Sequence, residues 1–325
     1  MKTGSMIRML ACGAMALAPA AATASTNFSA LYVFGDSLVD GGNIAALTGG
    51  AVPDPGVGYF PGRFTNGLNY VDYISLAYRG DVTRPSLTGG NNFAFGGARI
   101  VSDITDPIPD LAPQIGAYVA TRGPAADPNA LYILNAGGND VFALGRFAGG
   151  APGELAPFGN PTSYVNALLD TYAGAVLTLS SLGARNILVT GIPNATTPFA
   201  LELDALLQAR FDGLALAPGT NFLRFSYIDF FNRVATNPAA LGLPPLDTDT
   251  SCIEAGAQAS GCFGYFSFDG VHPTAAVQRA VFNDMVRQFD FADVPEPESW
   301  ALMLLGFGMA GAAIRRRPRV RVRFG

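Results

Sequence analysis

Phe34-Gly35-Asp36-Ser37-Leu38-Val39-Asp40-Gly41-Gly42-Asn43 stands directly after the apolar run at residues 30–34. A short apolar and aromatic run that opens into a Gly-rich turn reads as a strand followed by a loop, and a serine there can point out of the strand's carboxyl end. A serine hydroxyl is a weak nucleophile at neutral pH and becomes reactive only beside a base. The chain has one histidine, His272, in Asp269-Gly270-Val271-His272-Pro273, where the aspartate three residues earlier can orient the imidazole.

Outward from that turn, short apolar runs alternate with longer helical patterns, which is the signature of a parallel sheet covered on both faces. Strands are expected at 31–34, 92–95, 131–135, 186–190 and 225–229, and helices at 68–78, 110–121, 164–182, 199–214 and 274–291. The fold class is therefore α/β, a three-layer α/β/α sandwich with a mostly parallel five-stranded sheet of flavodoxin-like kind. Apolar stripes such as Val165, Leu168, Leu169, Tyr172, Val176 and Leu179 read as core. Three connections, 48–67, 147–161 and 238–265, are too long and Gly/Pro-rich for tight turns, and loops of this length often line binding sites. In the first, Tyr59, Phe60 and Phe64 either line an apolar substrate groove or simply pack onto the body.

The two ends read as addresses. Residues 1–24 carry Lys2 and Arg8, an apolar stretch at 9–22 and the small-residue pattern Ala22-Thr23-Ala24, as in a secretory signal peptide cleaved near Ala24. An N-terminal membrane helix is the competing reading, but the apolar run is shorter than the ~20 residues a span requires. At the other end, 294–325, Val294-Pro295-Glu296-Pro297-Glu298 precedes an apolar segment at 300–314 and then Arg315, Arg316 and Arg317. An ordinary C-terminal anchor is the alternative to a sorting tail there. Within this tail Gly306-Phe307-Gly308-Met309-Ala310-Gly311 spells a dinucleotide-binding motif, but neither a preceding strand nor a following βαβ unit accompanies it.

Between the ends, residues 25–293 form one domain without internal repeats. They hold 12 Lys and Arg against 23 Asp and Glu, a net charge of −11 that disfavours binding to nucleic acid. Cys252 and Cys262 remain as an even pair that can close a short loop in an oxidising compartment. Metal binding is the weaker reading, given a single histidine and no second cysteine pair.

Four segments fall at or beside expected strand ends: residues 35–38, 92–98, 137–140 and 269–272. Ligands bind outside the carboxyl ends of the strands in open parallel sheets, so the four can converge. Each alone admits a structural reading. Ser37 suits a helix cap, Gly96 and Gly97 a tight turn, Asn139 and Asp140 a cap, and His272 a surface loop. Together they supply a nucleophile, a base with an acid, and small or amide groups suited to holding an oxyanion.

These segments resemble those of the GDSL (SGNH) hydrolases, in which serine, glycine, asparagine and histidine occur in this chain order. Residues 34–43, Gly62-Arg63-Phe64-Thr65-Asn66-Gly67 and 92–98 look most like the lipase-like branch that includes plant GDSL esterases. The resemblance implies Ser37 as nucleophile, His272 as base and Asp269 as its orienting acid. It also implies an oxyanion hole of the Ser37 and Gly97 backbone N–H groups and the Asn139 amide, with Gly96 as the neighbouring alternative to Gly97. Asp36, Asp40 and Asn43 are assigned to shaping the turn. The G-x-S-x-G elbow of α/β-hydrolases is absent from the chain. The tail resembles the PEP-CTERM signal, which implies processing by a membrane-embedded exosortase, transient membrane contact, and export through the inner membrane of a Gram-negative bacterium to an extracellular or exopolysaccharide-associated site.

The expected function is thus an exported serine esterase or lipase acting on a lipid or acylated-glycan ester, with no cofactor or metal required. Two rivals stand beside it. One is a carbohydrate O-acetylesterase or acyltransferase on exopolysaccharide, and the other a non-catalytic matrix protein on the same fold.

Overall fold

The computed structural model describes residues 28–102, 106–151, 153–193 and 198–289. The expected signal peptide and sorting tail lie outside the described residues. Four parallel strands, β1 (Leu31–Gly35), β2 (Leu131–Asn135), β3 (Asn186–Thr190) and β4 (Asn221–Phe225), pair in sequence order. Among the described residues eight α-helices accompany them: α1 (Asn43–Leu47), α2 (Tyr70–Arg79), α3 (Leu111–Arg122), α4 (Gly138–Ala148), α5 (Pro161–Leu182), α6 (Pro198–Asp212), α7 (Tyr227–Thr236) and α8 (Ala275–Phe289). No helix among the described residues is long and apolar enough to cross a membrane.

Alternation along the strands builds the three layers, because successive side chains point to opposite faces. Phe34, Tyr132, Leu134, Ile187 and Val189 pack on one face with Ile115 and Tyr118 of α3, Leu168, Tyr172 and Val176 of α5 and Leu203 and Leu207 of α6. Val33, Leu131, Ile133, Leu188 and Phe225 pack on the other with Val71 and Ile74 of α2, Phe230 and Val234 of α7 and Val277, Val281 and Met285 of α8. Five buried residues in a row in β2 reflect this double cover.

Two expected strands need correction. Residues 92–95 do not form a fifth strand. They lie beside β1 through a parallel bridge from Asn92 to Val33 and through Phe93 N–H to Val33 O (2.7 Å) and Phe95 N–H to Gly35 O (3.1 Å). Their outward groups are taken by other partners: Asn92 N–H donates to Arg84 O (3.0 Å) and Asn92 O accepts from Ser86 N–H (2.7 Å), while Asn43 Nδ2 donates to Asn92 O and Ala94 O (both 2.8 Å) and Asn92 Oδ1 accepts from Ala94 N–H. This edge is thereby closed to further pairing. The last strand runs from Asn221 to Phe225, not from 225 to 229, because Ser226 caps α7 by accepting from Asp229 N–H. Helices α1, α4 and α7 are additions to the expected set. The two cysteines are joined, Cys252 to Cys262.

Behind the carboxyl end of β1 and β2 lies a buried polar cluster. Asn135 Oδ1 accepts from the hydroxyls of Tyr70 (3.0 Å) and Tyr227 (2.8 Å), and its amide donates to Asp36 Oδ1 (3.3 Å). Burial, reinforced by the charge of Asp140, pushes Asp36 up to about 7, against the Leu38 N–H that bonds its carboxyl. Burial likewise pushes Asp140 up to about 6, against the Ile100 N–H and the Tyr164 hydroxyl.

Both carboxyls bind protons more tightly folded than unfolded, so between about pH 4 and pH 7 the folded chain carries more protons. Unfolding free energy therefore falls as pH rises through that window. Urea-unfolding midpoints should be higher at pH 4.5 than at 7.5, and Asp36→Asn should flatten the slope. A midpoint that rises with pH, or an unchanged slope in the variant, would contradict the assignment.

Candidate active site

Ser37 sits in the turn that leaves β1, and the turn is built by its own side chains. Asp36 Oδ1 accepts from Leu38 N–H (3.0 Å), which leaves the Ser37 N–H without an acceptor among the described residues. Asp40, fully buried, accepts from the N–H groups of Gly42 (2.7 Å), Asn43 (2.7 Å) and Ile44 (3.3 Å), and across the turn from Gly96 (2.9 Å).

The histidine arrives on the loop before α8. Ser37 Oγ lies 2.7 Å from His272 Nε2, and His272 Nδ1 lies 2.6 Å from Asp269 Oδ2. The other oxygen of Asp269 accepts from the N–H groups of Val271 (2.9 Å) and His272 (2.7 Å), which folds the four residues from 269 to 272 into a tight unit. Burial disfavours the charge on Asp269, but the hydrogen bonds and charge of His272, with a further bond from Tyr59, hold its carboxyl well below the usual carboxylate range. Acid, imidazole and hydroxyl in this order can move a proton from the serine to the ring as the oxygen attacks.

Three segments fix that loop. Thr65 Oγ donates to Pro273 O (2.8 Å), and Asn66 Oδ1 accepts from Ala275 N–H (2.8 Å) at the start of α8. Arg63 is buried, paired through two nitrogens with Asp72 (2.9 and 2.8 Å), and donates to Gly41 O and Thr83 O (both 2.8 Å). One buried guanidinium thus ties the Ser37 turn to α2, and its own loop carries the residues that hold the histidine. The Cys252–Cys262 disulfide packs with Phe268 and Tyr59 on the far side of the same loop.

The remaining expected residues are tied to the Ser37 turn and to each other through hydrogen bonds, Gly96 to Asp40 and Asn139 to Ala98. Gly96 gives its N–H to Asp40, and a Cβ on it would lie 2.4 Å from the Phe64 ring. Gly97 has φ +90°, a conformation that favours glycine, and its N–H has no acceptor among the described residues. Asn139, in the first turn of α4, donates one amide hydrogen to Ala98 O (2.8 Å), which orients the side chain and leaves its second hydrogen available. Asp140 binds the next residues of the same segment through Ile100 N–H (2.8 Å), so α4 and the Gly97 turn are held as one piece.

Ser37, Asn139 and His272 open into a cavity of about 1110 Å³ between α4, α6, α7 and the His272 loop. Of the two readings of the 48–67 aromatics, packing onto the body is the one seen for Tyr59 and Phe64. Tyr59 stands edge-on to Phe268 and donates from its hydroxyl to Asp269 Oδ2 (2.6 Å), and Phe64 lies against the His272 ring, 5.3 Å between centroids. Sequence reasoning missed Tyr59 in this position, and Arg63 and Asn66 as organisers. Their signal was the Gly62–Gly67 phrase, quoted only as a likeness, and an arginine and an asparagine in so apolar a chain.

The family model described as GDSL-like Lipase/Acylhydrolase matches residues 31–285, and the PEP-CTERM protein-sorting motif matches residues 293–317. A GDSL esterase/lipase of Arabidopsis thaliana is 26% identical over 301 residues, covering 78% of this chain and 85% of its own. Lipase 1 of Photorhabdus luminescens is 33% identical over 173 residues, 51% of this chain, and there the match spans only 24% of the relative's length. With its catalytic-type segments on a matching fold and the family model covering most of its length, the chain belongs to the GDSL-like lipase/acylhydrolase family, and so to the carboxylic ester hydrolases.

Proposed function

We propose that residues 25–293 form a serine esterase that works through a covalent acyl-enzyme on Ser37. The observation that carries this reading is the unbroken hydrogen-bonded line from Asp269 through His272 to Ser37 Oγ. His272 takes the hydroxyl proton as Ser37 attacks the ester carbonyl, then returns it to the leaving alcohol. Asp269 keeps the proton-bearing nitrogen turned away and stabilises the imidazolium. Water repeats the sequence to release the acid. The oxyanion that forms at each step is met by the Ser37 N–H, the Gly97 N–H and the free amide hydrogen of Asn139. Gly96 is the poorer donor because its N–H is already given to Asp40.

In this reading residues 1–24 direct export and residues 294–325 are the sorting tail, recognised by an exosortase-type membrane enzyme that delivers the hydrolase to the surface or outside of a Gram-negative cell. The PEP-CTERM match supports the tail. The C-terminus of the protein recovered from the medium, read by mass spectrometry, should end before Trp300. An intact tail on the released protein counts against processing.

On p-nitrophenyl esters, Ser37→Ala and His272→Ala should each lower kcat/KM by roughly 10³-fold or more, and Asn139→Ala should lower kcat by roughly 10²–10³-fold. Activity unchanged in the first two would remove the acyl-enzyme mechanism; an unaffected Asn139→Ala would remove only its oxyanion role.

Tyr59 acts behind the triad. Its hydroxyl shares Asp269 Oδ2 with the imidazole but does not border the cavity, so it fixes the carboxylate without meeting substrate. A hydrogen bond to a charged group is worth about 1.5–3 kcal/mol. Tyr59→Phe should therefore lower kcat about tenfold with KM nearly unchanged, and a variant with wild-type kcat would show that Asp269 is held well enough by Val271 and His272 alone.

A further inference from the structure

Helices α4 and α7 each turn one stripe toward the cavity that Ser37 borders. On α4 the stripe is Gly138, Val141, Phe142, Gly145 and Ala148, and on α7 it is Tyr227, Phe231, Val234 and Ala235. Both follow the three- and four-residue spacing of a single helical face. Apolar faces on amphipathic helices ordinarily meet the core; here Val141, Tyr227 and Val234 belong to the core and line the cavity as well, while Phe142, Gly145, Ala148 and Ala235 line the cavity and belong to neither core layer. Phe142 and Phe199, on opposite walls, remain 36% and 38% exposed. Phe266 continues the apolar lining beside the His272 loop.

The wall offers little to a polar guest. Its cation, Arg146, is occupied by Glu154 through two contacts (2.5 and 3.0 Å). Sugar hydroxyls lodged against these apolar stripes would be left without partners, which is costly. A hydrocarbon chain has no such requirement and gains from every methylene covered.

The chemistry gives the cavity a direction. His272 must reach the leaving oxygen to protonate it, so the alcohol departs on the side of Val271 and Pro273. The acyl substituent then points the other way, along α4 and α7. From Gly138 to Ala148 the α4 stripe is about 15 Å long, room for an extended chain of roughly ten to twelve carbons.

Resting on the ester-hydrolase reading above, we propose that the cavity between α4 and α7 is an acyl-chain slot, and that the substrate class is esters of medium-chain to long-chain, uncharged fatty acids rather than acetylated glycans. A slot of this kind also explains Gly145. A Cβ there would meet nothing within 4 Å, so glycine in mid-helix leaves width in the channel despite its poorer helix propensity.

The test compares p-nitrophenyl acetate, butyrate, hexanoate, octanoate, decanoate and dodecanoate on the full chain. kcat/KM should climb about two- to fourfold per added methylene and level off near ten to twelve carbons. Gly145→Leu, which improves helix propensity, should lower the decanoate-to-acetate ratio at least tenfold, and Ala148→Leu should lower it only for the longest chains. A flat profile, a maximum at acetate, or an equal gain when the same chain is placed on the alcohol of an acetate ester overturns the proposal. Methyl decanoate titrated calorimetrically into Ser37→Ala separates the two readings. Binding without wild-type hydrolysis of any ester removes the hydrolase reading and keeps the slot, whereas hydrolysis of short esters with no binding of the long one removes the slot alone.

Discussion

The site depends on one buried carboxylate that is not among its reacting groups. Asp40 receives three N–H groups from its own turn and a fourth, from Gly96, across it. A carboxylate with no exposure needs such donors, since an unpaired buried charge is far more costly than a paired one. Here all four are backbone groups from the two segments that flank Ser37. The arrangement sets the turn after β1, holds the Gly96–Gly97 turn against it, and leaves Gly97 as the next free donor in line. Substituting another acceptor geometry would disturb the serine and the expected oxyanion site at once.

The histidine side is organised by a cation in the same manner. Arg63 is nearly buried, and its guanidinium makes four hydrogen bonds, two to a carboxylate on α2, one to a carbonyl beside Asp40 and one to the carbonyl of Thr83. Arginine suits this position because a planar guanidinium can satisfy several acceptors with fixed geometry. The residues that follow it, Thr65 and Asn66, pin Pro273 and Ala275. Serine and histidine lie 235 positions apart in the chain, yet each is one short relay away from Arg63.

The layers were legible in the sequence because burial on both faces of a parallel sheet imposes long apolar runs, as in 131–135 and 186–190. The candidate triad was legible because a lone histidine with an acid three residues before it has few rivals, and the structure brings Ser37, His272 and Asp269 within hydrogen-bond distance. Residues 92–95 misled for a physical reason. Their apolar pattern is that of a strand, but pairing is decided by where the backbone groups go, and the backbone at Arg84 and Ser86 together with the side chains of Asn43 and Asn92 takes them. Helix α7 was hidden by the aromatic run across Phe225, Tyr227 and Phe230. The break there is Ser226 capping Asp229, a signal of one residue inside a strongly β-favouring composition. Tyr59 could not be placed at all, since its partner Asp269 is 210 residues away and a tyrosine in a loop carries no mark of what its hydroxyl meets.

Chemistry and selectivity thus have separate supports. The polar groups come from loops at strand ends, where backbone N–H donors and a few buried charges over-determine each position. The cavity walls come from one face each of α4 and α7, whose other faces are committed to different core layers, Ala143 to one and Phe230 to the other. A side chain on the cavity face can therefore change size without moving Asp40, Arg63 or Asp269. The coupling that remains runs through Asn139, which stands in the first turn of α4 and is tied to Ala98. Shifting α4 as a body would move the oxyanion donor, whereas reshaping its surface would not. On the proposal of an acyl-chain slot, that asymmetry would let residues such as Gly145 and Phe231 set the chain length while Ser37, His272 and Asp269 stay in place.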